Sequence, residues 1–339
     1  MRAATLHEHG GLEKLVYQAD YRDPDMGPGD VILKVGACAL NYHDVFTRKG
    51  MPGIKVPLPL IMGIDVAGKV MEVGAEVHGF QRGDRVLVDP IDRAKGGLLG
   101  ETFDGGLAEL VRVPSHMLIK LDDAISYAEA AALPVAYGTA YRMMVTRGKV
   151  GAGETVLILG ASGGVGTCCV QLARQAGARV VACASSDDKI TRLKDMGADI
   201  GINYADTDWV AECRRQFGKA SAMGGAGGGV DVVVNFTGGD TWTKSLRVMK
   251  RNGRLLTCGA TAGYDPQEDI RFIWTFELNI IGSDGWSRED VLALLAMVKA
   301  GTLKPALHPK RYALNQASDA MRVLDERRVM GKVIVEPWS

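Results

Sequence analysis

What this chain lacks narrows its chemistry first. Among its 339 residues, 40 lysines and arginines balance 40 aspartates and glutamates, so no global field draws it to nucleic acid or to an anionic membrane. A small-molecule partner suits such a surface better. No apolar run approaches the length of a bilayer span, and the opening MRAATLHEHGG lacks the basic, apolar and small-residue order of an export signal. The sequence therefore predicts a soluble, cytoplasmic protein. Cysteine is sparse and scattered, at Cys38, Cys168, Cys169, Cys183, Cys213 and Cys258, with neither CxxC pairs nor Cys/His ligand spacing, which reads as reduced, mostly buried thiols. Hydrophobic residues make up 47% and charged residues 24%, an ordinary globular composition long enough for two domains, each with its own core.

What is present falls into two textures. The first third holds short β-branched runs, VILKVGACAL, DVAGKVMEVG, DRVLVDP and LAELVRVP, bounded by Gly, Pro and Asp, a pattern that predicts an antiparallel, partly closed β unit. From SYAEAAALPVAYGTAYRMMVTRG the spacing becomes helical, and strands then alternate with helices from TVLILG to LNIIGS. Such alternation requires crossover connections, hence a parallel sheet covered by helices on both faces. The tail reads as two helices and a closing strand that rejoins the first unit. The glycine-rich GKASAMGGAGGG before Val230 is expected to be a flexible surface loop, because its ordering entropy is high.

The apolar strand from Thr155 to Leu159 runs into GASGGVG and at once into a helix. In such a strand-turn-helix the backbone approaches a ligand closely, and the helix N-terminus offers free N–H groups and a positive dipole end to a pyrophosphate. Gly163 and Gly166 occupy the later glycine places of the dinucleotide fingerprint, with Ala161 at the first, so Ser162, Gly163, Gly164, Val165 and Gly166 are the candidate cradle. An NAD site places an acidic residue at the end of the next strand, about 20 residues past the turn. Here that strand ends VVACASSDDK. Ser185, Ser186 and Lys189 suit a 2′-phosphate and point to NADPH, while Asp187 and Asp188 are either a ribose carboxylate or part of a helix N-cap.

The stretches ALNYHDVFTRKG, PLPLIMGIDVAGKVMEVG, GFQRGDRV, GASGGVGTCCVQLARQAGARVVACASSDDK, GADIGINY and GKVIV occur in this order. Together they resemble the medium-chain dehydrogenase/reductase superfamily, most closely its quinone oxidoreductase and alkenal reductase-like branches. The resemblance implies an α/β protein: a GroES-like antiparallel β domain built from residues 1–123 and 285–339, around a Rossmann doubly wound parallel sheet in residues 124–284. The superfamily includes zinc-dependent alcohol dehydrogenases, which place a cysteine three residues before an aspartate and carry Gly-His-Glu farther on. This chain has Asn41 before Asp44, and Gly63, Ile64 and Asp65 in the second motif, while DPIDRAKGGLLGETFDGG holds none of the cysteines of a structural zinc lobe. Neither ligand set survives, so no metal is expected. Cys38 and His43, both near Asp44, are expected to be a packed thiol and a surface imidazole.

Without a Lewis acid, hydride addition to the β-carbon of a conjugated carbonyl asks less of a protein than alcohol oxidation, since one or two hydrogen-bond donors can hold the enolate oxygen. The resemblance implies that chemistry, with NADPH as cofactor and a quinone or α,β-unsaturated carbonyl compound as substrate. Tyr42 is the candidate donor to the carbonyl or proton source for the enolate, with half-buried packing as its alternative role, and Asn41 is expected to orient ligand or water. Asp65 is the third candidate, in contact with backbone or an arginine, and Tyr141 the fourth; Asp44 reads as structural. The resemblance also implies a cofactor contact at Thr139, while Tyr204, Thr237, Gly259, Ala260 and Thr261 are expected to contact the cofactor because such sheets bind ligands at their carboxyl edge. Three rival readings stand beside this one: an enoyl-CoA reductase using Arg93 and Lys95 for the CoA phosphates, a zinc-free alcohol dehydrogenase, and a non-catalytic NADPH-binding relative. LNIIGS, as the last strand of the sheet, presents an apolar edge that family members pair across a two-fold axis, so a homodimer is expected.

Overall fold

The β-branched runs of the first third become β1 (Ala3–Leu6), β2 (Leu15–Gln18), β3 (Asp30–Leu40), β4 (Leu60–Ile61), β5 (Asp65–Val73), β6 (Arg85–Val88), β7 (Leu110–Pro114) and β8 (Leu118–Lys120), with α1 (Tyr42–Lys49) after β3 and α2 (Tyr127–Ala131) after β8. A short helix α3 (Thr139–Tyr141) lies between two π-helical stretches, Leu133–Gly138 and Arg142–Arg147. Alternation follows: β9 (Thr155–Ile158), α4 (Gly164–Gln175), β10 (Arg179–Ala184), α5 (Asp187–Asp195), β11 (Ile200–Asn203), α6 (Trp209–Phe217), β12 (Val230–Val234), α7 (Thr241–Leu246), β13 (Met249–Thr257), α8 (Arg271–Thr275) and β14 (Asn279–Gly282). The tail forms α9 (Arg288–Lys299), β15 (Leu307–Ala313), α10 (Ala317–Asp325) and β16 (Lys332–Glu336). This computed structural model describes residues 1–222 and 227–339; the centre of the expected glycine-rich loop, 223–226, lies outside the described residues.

The chain divides into two units, Met1–Ala136 with Val291–Ser339 (unit 1) and Tyr137–Asp290 (unit 2). Unit 1 holds a three-stranded sheet, β2-β1-β4, and a seven-stranded sheet in the order β15-β16-β3-β5-β6-β8, with β7 also paired to β3. Its pairings are antiparallel except β15 with β16. The register is what builds a site. Ala39 lies opposite Asp65 and Leu40 opposite Val333, so the end of β3 is flanked by the start of β5 on one side and the start of β16 on the other. Leu33, Val35, Leu40, Val66, Val333 and Val335 are buried around these strands, and each such side chain contributes about 1.5–3 kcal/mol by leaving water. That burial holds the register, because a one-residue slip would turn the apolar face outward. The closing strand rejoins unit 1 as expected. β15 was not foreseen: its LHPKRYA carries Pro309 and three basic residues, which a strand tolerates at the edge of a sheet, and β15 is an edge.

Unit 2 is a parallel six-stranded sheet in the order β11-β10-β9-β12-β13-β14. Its central strands, TVLI and VDVVV, are the near-continuous apolar runs that a sheet covered on both faces demands. Successive strands step one way from β9 to β11 and the other way from β12 to β14, so the direction reverses between β9 and β12, where doubly wound sheets open a crevice at their carboxyl edge. No described helix is long and apolar enough to cross a membrane.

Candidate functional site

In unit 2 the turn between β9 and α4 is built by glycines with different duties. Gly160 turns the chain at φ 66°, a region that costs an L side chain about 1–2 kcal/mol. Gly166 is required by proximity, because a Cβ there would stand 2.5 Å from Ala161 Cα and from Gly160 O. Gly163 is open: a Cβ there would meet nothing nearer than Gly160 O at 3.8 Å, and α4 begins with no side-chain cap. Uncapped N–H groups facing free space fit a pyrophosphate. The residue that spacing passed over is Gly160, since the fingerprint begins one place later and a positive φ leaves no mark on spacing.

The next strand end is equally local. Ser186 is the N-cap of α5, its Oγ accepting from the Lys189 N–H at 3.4 Å, while Lys189 Nζ donates to Ser185 Oγ at 3.4 Å. Partial burial pushes the Lys189 ammonium below its ordinary range, as desolvation does to any cation. Asp187 and Asp188 are exposed in the first turn of α5, and Asp187 accepts from Asn203 Nδ2 at 3.1 Å. The capping role therefore belongs to Ser186 and to neither aspartate.

Tyr204 follows β11 and is exposed, Thr237 follows β12, and Gly259, Ala260 and Thr261 follow β13. The last two loops are joined by backbone bonds, Thr261 N–H to Phe236 O at 3.2 Å and Ala262 N–H to Thr237 O at 2.7 Å. Beneath them Asn235 is wholly buried, accepting from the Thr237 and Gly238 N–H groups at 3.0 Å and donating to Ser245 Oγ at 3.0 Å. Thr139, nearly buried, and Tyr141, half-buried, lie on α3, which packs against α4. Unit 2 thus brings its candidate loop residues to the carboxyl edge of one sheet.

Unit 1 gathers a different set where β3, β5 and β16 meet. Lys332 Nζ lies 3.1 Å from Asp65 Oδ2, with side-chain exposures of 2% and 0%. Asn41 bridges the pair, its Nδ2 donating to Asp65 Oδ2 at 2.9 Å and its Oδ1 accepting from Lys332 Nζ. The second Asp65 oxygen accepts from the Val135 N–H at 3.1 Å. Burial pushes the Asp65 carboxyl up, and the Lys332 ammonium and the Asn41 amide pull it back. One step away, Asp44 Oδ2 accepts from the Asn41 N–H at 2.7 Å and so caps the first turn of α1. Its Oδ1 is buried and, among the described residues, has no hydrogen-bond partner, and burial raises this carboxyl to about 6.

The other candidates of unit 1 surround this cluster. Tyr42, half-buried, stacks edge-on against Phe46 with ring centroids 5.1 Å apart, and among the described residues its hydroxyl makes no hydrogen bond. His43 pairs with Glu101, and Cys38 is wholly buried, its thiol pushed well up by desolvation. Arg93 is tied to Asp89, whereas Lys95 is exposed. The residue missed in the sequence is Lys332. Its signal was a charged side chain opening the apolar strand of GKVIV, together with a buried Asp65 that needed a cation. Zinc does not fit these residues: Ile64 offers no donor, an ammonium already stands between Asn41 and Asp65, and among the described residues no three His, Cys, Asp or Glu side chains converge.

Comparison with known proteins supplies the wider setting. Residues 27–123 match the alcohol dehydrogenase GroES-like domain and residues 164–300 match the zinc-binding dehydrogenase family. The chain is 32% identical over 340 residues to the 2-methylene-furan-3-one reductase of Solanum lycopersicum, covering 99% of this chain and 79% of that protein. It is 28% identical over 344 residues to the quinone oxidoreductase of Homo sapiens, covering 99% and 97%. A solved NAD-dependent alcohol dehydrogenase is similar with a TM-score of 0.90 and 36% identity, over 99% of both chains.

Proposed function

Because the chain belongs to the medium-chain dehydrogenase/reductase superfamily, in its quinone oxidoreductase-like branch, we propose that it is a zinc-independent, NADPH-dependent oxidoreductase acting on quinones or α,β-unsaturated carbonyl compounds. The observation that carries this reading is the Asn41, Asp65 and Lys332 trio, which contains its own cation and no metal donor set. Two relatives, by name a quinone oxidoreductase and a reductase of an exocyclic enone, support the acceptor class.

Bound at the N-terminus of α4, the cofactor supplies the hydride. The residues of this chain do the rest. Gly163 leaves room for the pyrophosphate and the free N–H groups of α4 hold its charge, while Ser185, Ser186 and Lys189 receive the 2′-phosphate. Tyr42 Oη carries a proton that no described residue engages, and this is the donor for the developing enolate oxygen. The carboxyl-edge loops through Tyr204, Thr237 and Gly259 to Thr261, with Thr139 and Tyr141 on α3, are the remaining contacts we assign. Asn41 acts by fixing its neighbours, since both amide hydrogens are engaged, by Asp65 and by Ala39 O. The exposed edge of β14, which presents Ile280, supports pairing into a homodimer, and a monomeric mass in solution would remove that assignment. The free cysteines, most of them buried, are compatible with the reducing cytoplasm.

The test is oxidation of NADPH and NADH by the purified protein against a quinone, an enone, an alkenal, crotonyl-CoA and a simple aldehyde, with product identification. Conjugated acceptors should be reduced, the aldehyde should not, and NADPH should be preferred. The likeness to an NAD-dependent alcohol dehydrogenase makes the opposite pattern, aldehyde turnover with NADH, the reading that would replace this one.

A further inference from the structure

Lys332 is buried to 2% exposure at the first position of β16. An ammonium in such a place loses its hydration, and a buried ion pair is often no more stable than well-packed apolar side chains of the same volume. Filling this sheet end therefore did not require a charge. What the charge does is order Asn41. The ammonium has protons only to give, so the amide must turn its oxygen to Lys332 and its nitrogen to Asp65, as observed. A flipped amide would set NH2 against NH3⁺ and oxygen against carboxylate. With the side chain so fixed, the Asn41 backbone closes the Asp44 turn that starts α1, and Tyr42 is the first residue of that helix.

We propose that Lys332 is a positioning residue for the reduction: its ammonium is a fixed, buried cation in unit 1, standing among the positions that zinc-dependent members fill with metal ligands, and it sets Tyr42 through Asn41. This inference rests on the conjugate-acceptor reading above, and it adds a residue that neither touches the substrate nor follows from the cofactor cradle.

The experiment uses the full chain with Lys332→Met, Lys332→Arg and the charge-balanced pair Lys332→Met with Asp65→Asn. For each, the melting temperature, the dissociation constant for NADPH and the kcat and KM for the acceptor are measured. The acceptor is whichever member of the panel the unaltered protein reduces, so failure of the conjugate-acceptor reading appears as a change of substrate and leaves the comparison intact. Lys332→Met should lower kcat by roughly 10- to 100-fold, the size of loss seen when outer-shell partners are removed at metal sites, with NADPH affinity unchanged. Lys332→Arg, which keeps the charge, should recover part of the loss. The charge-balanced pair should regain the melting temperature without regaining kcat, and it decides the matter alone if Lys332→Met does not fold. Full kcat in Lys332→Met, or in the pair, would reduce Lys332 to a counter-charge and overturn the proposal, as would an unaltered protein that reduces no acceptor.

Discussion

At the carboxyl edge of unit 2 each parallel strand delivers its following loop to the same side, so Gly160, Ser185, Tyr204, Thr237 and Gly259 stand along one edge by topology alone. None of them carries a charge. Where β3 ends in unit 1, antiparallel pairing instead brings the starts of two strands beside the finish of a third, and the side chains that meet are an aspartate, a lysine and an asparagine, all buried. The first arrangement leaves backbone and hydroxyl groups, with the Lys189 ammonium beside Ser185, along one edge of the sheet. The second has already satisfied its charges internally and is shaped by them. The proposed cradle and the internal cation site are thus both sheet-end features, the one built from loops along a parallel edge and the other from buried side chains closed on each other.

That contrast can be broken from either side. The larger effect is expected in unit 1, at Asp44, whose carboxyl is raised from 3.8 to about 6 by burial. Because the folded state holds its proton at higher pH than the unfolded chain, stability falls as pH rises from about 4 to about 6, by roughly 3 kcal/mol from this group, and is highest below that window. Asp44→Asn should flatten this part of the profile in denaturant titrations taken across the window. Identical profiles for the variant and the unaltered protein would mean that Asp44 is not a buried carboxyl of the kind described. The smaller effect is in unit 2. In Gly166→Ala the new Cβ must displace backbone 2.5 Å away, which should cost about 1–3 kcal/mol of stability and weaken NADPH binding, read by thermal melting and by fluorescence titration. A variant with unchanged melting and affinity would show that α4 does not need its close approach to the turn.

The two regions also differ in how far the amino-acid sequence announces them. Unit 2 was legible because its signals are local: alternating apolar runs, a glycine turn, a serine pair at a strand end. What escaped there was the angle at Gly160 and the choice of Ser186 over the aspartates as cap, both decided by which region of backbone space each residue occupies. In unit 1 Asn41 and Asp65 drew notice through the motifs around them, but their true partner did not. Lys332 is 267 residues from Asp65, and only the pairing of β16 with β3 reveals that its side chain turns inward. Asn41, expected to orient ligand or water, has its amide oxygen engaged by the Lys332 ammonium, a contact that no local pattern foretells. β15 stayed hidden behind Pro309 for a related reason, since edge tolerance is a property of position in the sheet.

The distance between Asp65 and Lys332 has a further consequence, for the order in which the molecule can be made. At translation rates of roughly 5–20 residues per second, Asp65 leaves the ribosome some 10 to 50 s before Lys332 is joined to the chain. Over that interval β3 and β5 can pair, yet the carboxylate at their end has no cation and must remain wet. Sealing this end of the sheet is therefore deferred until β16 arrives, and a nascent chain of this protein carries an unfinished, hydrated seam through the synthesis of the whole of unit 2.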